Sequence, residues 1–152
     1  MKLSRPGVDP LTTLYHARKT ITFTAAAGAG AVETSTLFTI TGRVLLERLT
    51  AFCTSDLTSG GAATISMGVS GAAVDTFIAS TAFSDIDANE WWSDATPASG
   101  AEEQILSNLF DRMTSFTLSG NITFTVGTTT ITGGVIIFDA WYYPITDTGM
   151  LS

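Results

Sequence analysis

Between residues 20 and 143 the chain keeps returning to one pattern: a short run in which threonine alternates with an apolar residue, closed by a cluster of small turn-forming residues. "TITFT" (20–24), "TLFTIT" (36–41), "AATISMGV" (62–69), "DTFIAS" (75–80), "SFTLSG" (115–120), "NITFTV" (121–126) and "GVIIFDAWYY" (134–143) all read this way. Successive side chains on a strand point to opposite faces, so a period of two marks a pleated, half-buried surface. The run "GRVLLERLTAFC" (42–53) is longer and less regular, with Leu45, Leu49, Ala51 and Cys53 sharing a parity with Glu47. Between the runs stand "AAAGAGA", "TSGGAA", "VSGAA", "TPASGA", "LSGN" and "ITGG", which are turn chemistry. Seven to nine short strands joined in this way predict an all-β, mainly antiparallel domain: a β-sandwich, a jelly-roll-like fold or a small barrel.

Two segments depart from the pattern. "GAEEQILSNLFDRM" (100–113) puts Ile105, Leu109 and Arg112 on one helical face. Ser99 is placed to cap it, and Glu102 and Glu103 sit at the favourable end of the dipole, so one short helix is expected. Residues 1–19 carry Pro6, Gly7 and Pro10 without periodicity and read as an extended N-terminal arm, leaving 20–152 as a single β domain.

The chain's 152 residues suit one domain, yet only 14% are charged and mean hydropathy is +0.31. Such a surface suits a protein covered by neighbours in a large assembly. Charge is also uneven. Lys2, Arg5, Arg18 and Lys19 against Asp9 give the arm a net +3, and the remaining three basic and 13 acidic residues give the body −10, which together make the overall −7. No basic patch interleaves with aromatics, so nucleic acid is not an expected partner. The arm is expected to lie on an acidic neighbouring surface, such as another copy of the chain. No apolar run reaches membrane-spanning length, and no apolar segment follows the basic start as in a signal peptide. The single cysteine, Cys53, lies in "LTAFC" and reads as a buried, inert thiol made in a reducing cytoplasm.

Little in the sequence points to chemistry, and the expectation is a protein that is not an enzyme and takes no cofactor or metal. His16 is the one histidine, in the arm, with no carboxylate or nucleophile near it in sequence. "DIDANE" begins like a calcium loop at Asp85, Asp87 and Asn89, but Glu90 stands where glycine is required and Thr96 where the bidentate glutamate belongs. Asp85, Asp87 or Glu90 as half of a glycosidase pair lacks a fixed spacing to a second carboxylate. "GAGAG" opens no helix and cradles no phosphate.

The aromatics carry more. Trp91 and Trp92 are adjacent in "NEWWSD", so on a strand one ring faces the core and the other faces away. In "FDAWYY", Phe138, Ala140 and Tyr142 share one parity, and Asp139, Trp141 and Tyr143 the other. Outward aromatics with a polar handle are what interfaces use as anchors. Trp91, Trp92, Trp141 and Tyr143, with the basic residues Lys2, Arg5, Arg18 and Lys19, are therefore the candidate interface residues.

The segments "GRVLLERLTAFCTSDLTSGGAATISMGVSG", "FIASTAFSDIDANEWWSDATP" and "GGVIIFDAWYYPITDTGML" resemble virion structural proteins of tailed bacteriophages, of the capsid decoration or cement kind. That resemblance implies a place on the outer capsid surface, contacts to the major capsid protein and to copies of itself as a homotrimer, and no membrane contact. A tail, collar or head-fibre module that binds a host receptor or glycan is the alternative.

Overall fold

The computed structural model describes residues 13–93 and 116–152, with side chains of the second stretch described from residue 119. The expected helix at 100–113 and the first twelve residues, with Lys2 and Arg5, lie outside the described residues. In chain order the strands are β1 (Tyr15–Thr22), β2 (Thr34–Phe38), β3 (Ile40–Thr41), β4 (Val44–Ser59), β5 (Thr64–Val69), β6 (Ile78–Ala82), β7 (Glu90–Trp91), β8 (Phe116–Leu118), β9 (Ile122–Gly127), β10 (Ile131–Pro144) and β11 (Met150–Leu151). One sheet runs β1-β10-β4-β7, with β8 also on β4. A second runs β2-β9-β5-β6, and β3 and β11 form a small ribbon. Every strand pairing is antiparallel. The fold is sandwich-like.

The core lies between the two large sheets. β10 contributes Ile136, Phe138, Ala140 and Tyr142, and β9 answers with Ile122, Phe124 and Val126, all buried. Phe124 stacks on Phe138 at 6.5 Å between ring centroids and meets Phe23 edge-on at 6.1 Å, so aromatic contacts join the sheets directly. The connector after β1 is pinned to β10: Ile131 N–H donates to Gly30 O, and Ala25 N–H to Ile131 O. Gly30 sits at φ +112°, and a Cβ there would lie 2.2 Å from the Ile131 carbonyl oxygen, so only glycine fits.

The structure moves two boundaries. The arm read as 1–19 ends earlier, because residues 15–19 belong to β1 and pair with β10 from Tyr142 to Phe138. Consecutive Arg18 and Lys19 break the period of two. An edge strand tolerates that, since Tyr15, His16, Arg18, Lys19 and Thr20 all stay exposed. The irregular run at 42–53 has a cause as well. Trp141 pairs with Arg48 while Tyr142 pairs with Leu46, leaving Glu47 as the extra residue of a bulge. The bulge turns the strand over, so Val44 and Leu46 are buried before it and Leu49, Ala51 and Cys53 after it, while Leu45 turns outward.

Candidate interface on the outer face of the first sheet

The outer face of the first sheet follows from register and alternation. Across from Trp141 lie His16 on β1 and Arg48 on β4, and across from Asp139 lie Arg18 and Thr50. Phe52 pairs with Ile137 on one side and with Trp91 of β7 on the other.

Trp141 is the best-defined member. The His16 imidazole stacks on its ring at 4.9 Å between centroids, and the Arg48 guanidinium carbon lies 5.5 Å from the ring centroid. One indole is thus held between a histidine and an arginine from its two neighbouring strands. Tyr143 follows on the same parity beside Leu45, and both are half-buried. Further across the sheet, Trp91 tilts against Phe52 with centroids 4.9 Å apart, and both remain partly exposed.

Between these aromatics sits a charged clasp. The Arg18 side chain donates from Nε to Asp139 Oδ1 at 2.7 Å and from a terminal nitrogen to Oδ2 at 2.9 Å, and His16 Nε2 lies 2.5 Å from Oδ1. Asp139 is 4% exposed. Burial alone pushes its pKa up, but the hydrogen bonds and charges of Arg18 and His16 outweigh that and hold it below the ordinary carboxylate value. Sequence reading missed this cluster because its members lie more than 120 residues apart. The only advance signal was Asp139 sharing a parity with Trp141.

Lys19 is exposed on β1, with its side chain on the parity opposite to Arg18. Trp92 is a correction. Its ring is 1% exposed and its Nε1 donates to Thr81 Oγ1 at 3.0 Å, so it is a core residue rather than an anchor. The reason is local: the β4 residues on that side are Ala51 and Cys53, small enough to leave room for an indole, whereas Trp91 faces Phe52.

The acidic residues nearby shape a turn. Phe83–Asp85 form a single 3-10 turn, Asp87 N–H donates to the buried Glu90 carboxylate at 3.2 Å, and Ala88 N–H donates to Asp56 at 2.6 Å. Among the described residues no group of three or more His, Cys, Asp or Glu is placed to hold a metal, and no helix is long and apolar enough to cross a membrane. Cys53 is buried, and desolvation above all, with the nearby Asp56, Asp87 and Glu90 charges, pushes its thiol up to about 11 against a weaker opposing backbone hydrogen bond at Ser55. Comparison of the chain with protein-family models, with curated proteins and with solved structures found no match.

Proposed function

We propose that the chain is a structural virion protein that binds the outer surface of a phage capsid and reinforces its subunit junctions, without catalysis or a cofactor. The observation that carries this reading is the outer face of the first sheet, where Trp141, Tyr143, Phe52 and Trp91 stand half-buried on hydrogen-bonded strands. Preorganised aromatics lose little freedom on docking, so most of their burial goes into affinity. The low charge content of the sequence and its resemblance to decoration proteins support the same reading.

The mechanism is mechanical. A ligand that binds only the expanded, intact lattice stabilises that lattice by linkage, and many symmetry-related copies multiply a modest contact. The partners are the major capsid protein and further copies of the chain, as a homotrimer, and the place of action is the capsid surface of a virion assembled in the host cytoplasm. A glycan-binding module is less well supported, since Trp141 is flanked by His16 and Arg48 and Trp91 leans on Phe52, which takes up faces a sugar ring would stack on.

The test is co-sedimentation of the purified chain with undecorated expanded heads of the phage that encodes it, followed by heat challenge. Saturable binding that raises the temperature of head rupture is the expected result. Heads that bind none of it overturn the reading. Removing residues 1–12, which spares β1, should weaken binding, and equal binding by the truncated chain would remove the arm from the mechanism.

A further inference from the structure

We infer that the open edge of β1 is a docking site for an extended acidic segment of a second copy of this chain. The inference deepens the proposed function and rests on its assumption that copies of the chain associate.

The geometry begins with the pairing of β1 and β10, which runs from Tyr15↔Tyr142 to Thr22↔Val135 without a break. Phe23 N–H, one residue further on, donates to Gly134 O, so Phe23 turns its peptide groups toward β10. Alternation along an antiparallel strand then points the N–H and C=O groups of His16, Arg18, Thr20 and Thr22 away from β10. Among the described residues β1 ends its sheet, with no strand on that side. Eight residues of edge extend over about 26 Å, a long template to leave uncovered.

Charge narrows the occupant. Two β1 strands pairing with each other, core faces on the same side, would meet over most of their length with Arg18 against Arg18 or Lys19 against Lys19. Like charges directly opposite destabilise a pairing, which weighs against the Lys19 register above all, since Arg18 is already paired with Asp139. The Lys19 ammonium forms no ion pair among the described residues, and the sequence from residue 20 onward has three basic against 13 acidic groups. The surface complementary to this edge is therefore the acidic body of another copy. A contact between different surfaces of identical chains is heterologous, and where its rotation closes it gives a ring such as a trimer.

The test is the solution mass of the full chain by size-exclusion chromatography with light scattering over a range of concentrations, with no heads present. A discrete oligomer is expected. Thr20→Pro removes one outward N–H and no bond to β10, and Lys19→Glu reverses the edge charge. Each should raise the concentration needed for association by about tenfold or more, while Thr20→Ala, which keeps the N–H, should not. If circular dichroism finds Thr20→Pro unfolded, Lys19→Glu alone decides. A wild-type chain that stays monomeric, or folded variants that associate like wild type, overturn the inference. Assembly through this edge without head binding would leave it standing and defeat the decoration reading, and head binding by a monomer would do the reverse.

Discussion

Arg18 and Asp139 lie 121 residues apart in sequence and face each other across adjacent strands, joined by two hydrogen bonds of 2.7 and 2.9 Å. Asp139 is nearly fully buried while the Arg18 side chain is 60% exposed, so the two do not contribute alike. Removing the arginine would leave a buried carboxylate with only His16, whereas removing the carboxylate lets the arginine return to water. Asp139→Ala is expected to cost about 1–2 kcal/mol, less than a fully buried pair, because Arg18 rehydrates. The urea midpoint measures this, with an unchanged slope confirming that the same surface unfolds. Amide exchange along β1 should quicken more than exchange along β9. A shift confined to β9 would mean that the clasp does not hold the edge strand.

The same clasp sets a pH dependence. The folded-state pKa of Asp139 lies below its unfolded value, because Arg18 and His16 outweigh the burial that opposes them. A depressed carboxylate stabilises the fold above its unfolded pKa, about 3.9, and that contribution is lost as pH falls through the lower folded value. Thermal midpoints of wild type should therefore fall below about pH 4 more steeply than those of Asp139→Asn. Parallel curves would show that the pair contributes nothing to acid sensitivity.

Much of this architecture was legible because threonine–apolar alternation is a property of each strand alone. The sandwich class, the inward parity of Phe138, Ala140 and Tyr142, and the rule that one of Trp91 and Trp92 must face inward all follow from it. What failed to show depends on pairs of strands. The bulge at Glu47 reverses the faces of β4, and the irregular run at 42–53 does not say where they turn over. Adjacent tryptophans are identical as letters, and only the partner strand, with Ala51 and Cys53 on one face and Phe52 on the other, decides between them. The clasp of His16, Arg18 and Asp139 joins the two ends of the sequence, and it exists only because β1 lies beside β10.

The two tryptophans should separate cleanly on substitution. Trp92→Ala empties a core position and is expected to cost about 3–5 kcal/mol. Thr81→Val keeps the volume but takes away the acceptor of the Trp92 N–H, for about 1–3 kcal/mol. Trp91→Ala is expected to cost about 1 kcal/mol, the scale of an aromatic pair at a partly exposed site. Chemical denaturation measures all three, and a Trp91→Ala cost equal to that of Trp92→Ala would contradict the placement.

Cys53 should be silent in the folded protein. With its thiol at about 11, only about one molecule in a thousand carries a thiolate at pH 8, and the side chain is also buried. A disulfide reagent is expected to react at the rate of unfolding, with full reactivity in denaturant. Rapid stoichiometric labelling of the native chain at pH 8 would show that the middle of β4 opens to solvent.

Trp141 carries the sharpest functional prediction, because stability and binding should part there. Its ring is half-buried on the outer face, held between His16 and Arg48, so Trp141→Ala leaves the inner core of Phe138 and Phe124 untouched. Under the proposed function, loss of the Trp141 ring is expected to weaken head binding by about thirtyfold, the equivalent of ~2 kcal/mol. Trp141→Phe, which keeps an aromatic plane between His16 and Arg48, should retain most of the affinity. The measurement is a binding isotherm on expanded heads beside a melting curve for each variant. Unchanged affinity in a folded Trp141→Ala would move the contact off this face. Affinity that falls only in step with the melting temperature would reduce Trp141 to a structural residue.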